Sequence, residues 1–301
     1  MTLIKKETID ALVSFRQPTS HAVYAYCPSQ CDQAASWKSV AFAQQVREVQ
    51  LKLTPGGKPR LFITSDSTVY TGGKDYYYAA CDGDCTQQAV WSLTKIVSGH
   101  VPGTALENND ELPQRAFELD PAGRPRFVYY DQNQQVQPNH FGLFYLFCDS
   151  GCDQAAQWQE TLITIVTWTP RFAMERVYQS ALAFTPDGKP RITSAEFFPI
   201  GDGEASLVYF ECNDVCGTPE SWQKVSLAAR GGGSEPSADL DIDPAGRPRI
   251  AFYQEALLND QGKRLFYLWC NGTCLDAASW QQVDLGLGSF NGQEPDLELD
   301  R

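Results

Sequence analysis

Apolar and polar residues alternate along most of this chain in short runs separated by turn-forming residues. Alternation of that period marks half-buried strands, with successive side chains on opposite faces of a sheet. In LKLTPGGKPRLFI from Leu51, two such runs flank a Pro-x-Gly turn. Proline presets the turn dihedral and glycine accepts a positive one, so the phrase encodes a hairpin. It recurs as FELDPAGRPRFVYY from Phe117, LAFTPDGKPRITS from Leu182 and LDIDPAGRPRIAFY from Leu240. A third run ends at a cysteine each time, as in DYYYAAC, GLFYLFC, SLVYFEC and RLFYLWC, and a fourth starts at a tryptophan, as in WSLTKIV, WQETLITIV, WQKVSLA and WQQVDLG. Each unit thus predicts four short strands.

The cysteines show how many units there are. Cysteine, three residues, cysteine, then tryptophan six residues later occurs five times, from Cys27 to Trp37, Cys81 to Trp91, Cys148 to Trp158, Cys212 to Trp222 and Cys270 to Trp280. The first cysteines are 54, 67, 64 and 58 residues apart, and counting from Cys270 past the end and on from residue 1 to Cys27 gives another 58. A period of this size marks a repeat architecture, and the constant count across the ends marks a closed ring. Five units of four strands predict an all-β, five-bladed β-propeller of antiparallel blades. The segment DLELDR at 296–301 matches a first strand and stops before its turn, whereas ALVSFR, HAVYAYC and WKSVAF near the N-terminus supply only second, third and fourth strands. The first blade is therefore expected from residues 10–45 plus 295–301, with the C-terminal strand innermost. The others are expected at 48–98, 114–167, 178–229 and 237–287, all within one domain spanning 1–301.

Composition narrows the partners. With 24 basic against 37 acidic residues the net charge is −13, which repels phosphate backbones and anionic lipid, so nucleic acid is excluded as the expected partner. No apolar run reaches the roughly 18 residues of a membrane span, and MTLIKKETID lacks the apolar stretch of a signal peptide. Membrane insertion is not expected, and any export signal is expected to be missing from this sequence. Local pairing is favoured for the cysteines, Cys27 with Cys31, Cys81 with Cys85, Cys148 with Cys152, Cys212 with Cys216 and Cys270 with Cys274, because a three-residue gap at a hairpin end suits a disulfide. Reduced thiols and metal ligation are the alternatives. A closed zinc site wants four ligands, and five pairs around a ring cannot be matched two by two. Five bridges imply an oxidising, extracellular or periplasmic setting.

Four units carry G-[RK]-P-R, at Gly57 to Arg60, Gly123 to Arg126, Gly188 to Arg191 and Gly246 to Arg249. With the tyrosine-rich and tryptophan-led strands, these units resemble bacterial propeller proteins whose repeats read roughly LDxxGRPxIAYYD. The resemblance covers nearly the whole chain and implies the propeller fold without implying one activity. The blade number is also similar to that of tachylectin-like lectins, in architecture only.

Turns after strands one and three are uniform, whereas connections after strands two and four differ, as in DQNQQVQPNH, FFPIGDGEAS, QEALLNDQGK and the long SGHVPGTALENNDELPQ. Divergent loops read as the working face. Its candidate ligand contacts are Tyr70, Tyr76, His140, Phe141, Trp168, Arg171, Phe172, Phe197 and Phe198, aromatic and polar residues suited to a sugar-like surface. The repeated tryptophans read first as packing and second as five equivalent pockets. Arg60, Arg126, Arg191 and Arg249 read as scaffold residues paired with acids of adjacent blades. Glu118, Asp241 and Glu298 occupy equivalent innermost positions, the arrangement that acid and base or nucleophile roles in a glycosidase would need, although Lys52 and Ala183 take that position in the other two units. The three histidines, His21, His100 and His140, show no metal spacing, and no GxSxG elbow, phosphate loop or dinucleotide fingerprint is present. No cofactor or metal is expected. The sequence favours a noncatalytic module that recognises a glycan or an extracellular protein surface through the variable loops. A glycan-processing enzyme and a protein–protein interaction scaffold are the alternatives.

Overall fold

A computed structural model describes residues 9–13, 21–46, 48–66, 74–99, 115–131, 140–167, 179–198, 204–227, 237–255, 263–286 and 295–299. The fold is an all-β propeller with five antiparallel sheets. The first holds β1 (Ile9–Val13), β2 (His21–Cys27) and β3 (Lys38–Gln45). The second runs in order through β4 (Glu48–Leu53), β5 (Pro59–Asp66), β6 (Lys74–Cys81) and β7 (Trp91–Gly99). The third holds β8 (Phe117–Leu119), β9 (Pro125–Asp131), β10 (His140–Phe147) and β11 (Gln159–Thr167). The fourth holds β12 (Gln179–Phe184), β13 (Pro190–Phe198), β14 (Glu204–Cys212) and β15 (Trp222–Leu227). In the fifth are β16 (Ser237–Ile242), β17 (Pro248–Glu255), β18 (Lys263–Cys270) and β19 (Trp280–Asp284). Among the described residues no helix is long and apolar enough to cross a membrane.

The same local chemistry builds the turns at one end of each blade. In the first turn of blade five, Asp243 accepts the Gly246 N–H at 2.8 Å through its carbonyl and the Arg247 N–H at 3.0 Å through its carboxylate. Gly246 sits at φ 79°, which a side chain would strain, and Gly57, Gly123 and Gly188 repeat that conformation at φ 73°, 78° and 84°. At the second turn all five CxxxC pairs form disulfides, with Cα separations of 5.7 to 5.8 Å. A single 3-10 turn then leads into each tryptophan.

Blades adhere through their innermost strands and through repeated aromatic contacts. The Phe117 N–H of β8 donates to Gln50 Oε1 of β4 at 2.9 Å, and the equivalent Leu182 N–H of β12 donates to the Arg115 carbonyl at 2.9 Å. Leu297, the third equivalent, donates to Asp239 Oδ2 of β16 at 2.6 Å. Since Asp239 matches Gln50 in register, 295–299 lies against β16 as β8 lies against β4. That is the place of the innermost strand that the three-stranded first sheet lacks. The pairing of this segment with β1 is a proposal that the equivalence supports.

Candidate functional site

Two of the three axial acids, Glu118 and Asp241, hold strands together. Glu118 pairs with Lys52 of the neighbouring blade. Asp241 is buried, and its carboxylate accepts the Leu299 N–H at 3.0 Å and the Ile242 N–H at 2.8 Å. Arg115 reaches past blade four to donate to the Leu240 carbonyl at 3.1 Å, lying 3.4 Å from Asp239 and 3.8 Å from Asp241. Glu298 is exposed on the C-terminal segment. The three acids named from sequence therefore have three different surroundings, two of them ion-paired or hydrogen-bonded structural positions. Burial pushes the Asp239 carboxyl up to about 6, with Arg115 and the Leu297 and Leu240 N–H groups opposing it. Among the described residues no group of three or more His, Cys, Asp or Glu side chains is placed to hold a metal ion.

Of the candidate ligand contacts, Tyr76 requires correction. It is only 5% exposed, and its ring lies 5.1 Å from that of Tyr129 and 5.6 Å from that of Phe127, centroid to centroid. Position 76 points inward because the alternation of β6 carries it onto the face packed against blade three, so it is a core residue. His140 and Phe141 lie on β10 and Phe197 and Phe198 on β13, and their side chains are outside the described residues, as are Tyr70, Trp168, Arg171 and Phe172 entirely.

The repeated tryptophans are cement between blades. Each donates its Nε1–H to the carbonyl of the second cysteine of its own motif, at 2.8 to 3.1 Å. The ring edge then meets a tyrosine of the preceding blade: Tyr24 with Trp91, Tyr78 with Trp158, Tyr145 with Trp222 and Tyr209 with Trp280, at 5.0, 5.3, 5.1 and 5.0 Å between centroids. All four tyrosines stand three residues before a first cysteine, and Tyr267 takes that place in blade five. This second period was visible in the sequence; its use across blades was not. Burial pushes the Tyr78 phenol up to about 12, so it stays neutral at ordinary pH.

The GxPR arginines are scaffold, but the expectation that they bridge to adjacent blades is overturned. Arg249 donates to the carbonyls of Pro248 and Cys270 at 3.0 and 2.9 Å, and to Asp243 and Asn271 at 2.7 and 3.0 Å, all within blade five. Arg60, Arg126 and Arg191 repeat the arrangement with Asp82, Asp149 and Asn213 of their own blades. The reason is reach: β-pairing sets Arg249 opposite Trp269, the residue before the first cysteine, and the disulfide-pinned turn brings Asn271, two residues on, within hydrogen-bond distance.

Between blades four and five, at the end carrying the uniform turns, lies a cleft of about 570 Å³. Arg191, Tyr209 and Glu211 line it from blade four, and Gly246 to Pro248 and Asn271 to Asp276 from blade five. Glu211 stands just before a first cysteine, where blades one, two, three and five carry Tyr26, Ala80, Phe147 and Trp269. Its carboxylate accepts the Tyr209 hydroxyl and the Asn213 amide, each at 3.2 Å, and lies 4.0 Å from Arg191 Nε. Burial and that carboxylate push the Tyr209 phenol well above its ordinary range, keeping it a neutral donor. The signal for this residue in the sequence was an acid at a position that is otherwise apolar or aromatic.

No protein-family model matches the chain, and no curated protein matches it in sequence. Solved structures similar to it include a fucose lectin from Kordia zhangzhouensis in complex with methyl-fucoside, 18% identical over 56% of this chain and 95% of that one, with a TM-score of 0.33. AofleA from Arthrobotrys oligospora is 13% identical over 93% of this chain and 87% of its own, with a TM-score of 0.39. A GH93 α-L-arabinofuranosidase of Fusarium graminearum, solved with arabinobiose, is 13% identical over 94% and 79%, with a TM-score of 0.45. At identities and scores this low, the site is read from this chain's own geometry.

Proposed function

We propose that this propeller is a noncatalytic, extracytoplasmic recognition module for carbohydrate. The observation that carries the reading is the contrast between the two ends of the blades. One end is fixed in every blade by a disulfide and a tryptophan, joined by an arginine in four of them. The connections at the opposite end differ in length and composition. A rigid frame with divergent loops suits recognition, because ordering costs fall on few residues. Five disulfides fit an oxidising compartment. Glu118 and Asp241 support the noncatalytic side, since their charges are spent on Lys52 and on backbone N–H groups of the closing segment.

The test pairs a glycan array with a panel of aryl glycosides. Retention of glycan without turnover is the expected result. Hydrolysis by the wild type that disappears in Glu118→Gln/Asp241→Asn would overturn the reading in favour of an enzyme.

A further inference from the structure

The junction between blades four and five offers a complete set of contacts for a small polyhydroxylated ligand. Its volume of about 570 Å³ lies within the range of small-molecule sites, roughly 300–1,000 Å³. Glu211 has a side chain only 13% exposed, and a carboxylate offers about four acceptor positions. Tyr209 and Asn213 engage one oxygen each at long distances, so acceptor capacity remains on both. On the blade-five side, Arg247 spends its Nε on Asp243 at 2.7 Å. Its two Nη groups find no protein partner among the described residues, and the side chain is 44% exposed. The cleft thus holds acceptors on one wall and donors on the other, with Pro248, Leu275 and Cys274 as apolar surface between them.

The geometry points to a saccharide site in this cleft, which takes a neutral sugar through hydroxyls donating to Glu211 and accepting from Arg247. The inference rests on the carbohydrate reading above and moves the contact to the end of the blades that the divergent loops do not occupy. Neutrality follows from the charges. Arg191 is already used by two carbonyls and Asn213, so an anionic sugar would face the Glu211 and Asp276 carboxylates against the single Arg247 guanidinium, whose charge is partly met by Asp243. The neighbouring junction between blades three and four is filled instead: at the equivalent position Phe147 lies against Gly217 and beneath Arg126, 5.8 Å from the ring centroid.

The test is a glycan array probed with the full chain, followed by titration of the retained neutral glycan against two variants. Glu211→Phe inserts the side chain that blade three uses at the same position, and Glu211→Gln keeps the volume while removing the charge. Binding is expected to weaken at least tenfold in Glu211→Phe and severalfold in Glu211→Gln, with the thermal unfolding of Glu211→Gln unchanged and sialylated or sulfated glycans not retained. Wild-type affinity in both variants, together with loss on replacing 168–176, would overturn the cleft and leave the carbohydrate reading standing. A wild type that retains no glycan would overturn both.

Discussion

The junctions on either side of blade four share their cement and differ in their seal. Tyr145 meets Trp222 at the first and Tyr209 meets Trp280 at the second, with near-identical geometry of 5.1 Å and 65° against 5.0 Å and 67°. Beside the first pair, Phe147 packs on Gly217; beside the second, Glu211 faces Leu275 across open space. Adhesion between blades is therefore carried by a repeated pair, which leaves the residue before the cysteine free to vary. The carboxylate of Glu211 leaves the Tyr209–Trp280 pair in place.

The sharpest break of this comparison is removal of the cement. Trp222→Ala should destabilise by about 3–5 kcal/mol, the usual cost of deleting a large buried aromatic, and Trp280→Ala by distinctly less, because Trp222 is buried and Trp280 half-buried. Denaturant unfolding of the two variants reads the difference. Equal losses would mean that the seal contributes nothing to its junction.

Exchanging the seals comes next. Phe147→Glu should cost about 2–3 kcal/mol through lost apolar burial and a partly desolvated charge, with the Arg126 guanidinium over that position limiting the damage. A neutral outcome by the same unfolding assay would show that the first junction tolerates opening as well as the second does.

The disulfides test what the junctions have in common. Each closes an equally short loop, so Cys212→Ala/Cys216→Ala and Cys270→Ala/Cys274→Ala should each lose ~2 kcal/mol by loop entropy. Losses differing widely would assign the bridges a role in one junction. Intact mass after alkylation without reductant should show no labelled thiol in the wild type.

The smallest effect is that of pH at the next junction, where Asp239 receives the closing segment. Its folded carboxyl sits at about 6, above the ordinary value, so the folded state binds the proton more tightly than the unfolded chain does. Stability from this group is present at low pH and lost as pH rises through about 6, about 1 kcal/mol between pH 5 and pH 7.5. Asp84 and Asp187 act oppositely, held low by hydrogen bonds from Thr86 and Gln87 and from Thr185 and Lys189, so their contribution is lost only in stronger acid. Melting temperature against pH, in wild type and Asp239→Asn, measures the term; a wild-type curve flat from pH 5 to 7.5 would remove it.

What one strand does locally was legible in the residues. Alternation, Pro-x-Gly turns and CxxxC pairs specify hairpins of fixed length, and hairpins are made by near neighbours. The ring count followed from the period alone. What the residues could not express is which blade a side chain meets, since that depends on the twist and spacing of sheets closed on themselves. Arg249 serves its own blade and Tyr209 the next, although both simply recur at a fixed place in each repeat. Tyr76 is buried by the parity of its strand, and Asp241 receives a backbone N–H from a segment 58 residues away. Glu211 was legible only as an oddity in a column of apolar residues; the cleft beside it opens where an acid stands in place of the ring that Phe147 packs on Gly217 at the neighbouring junction, a fact of tertiary packing.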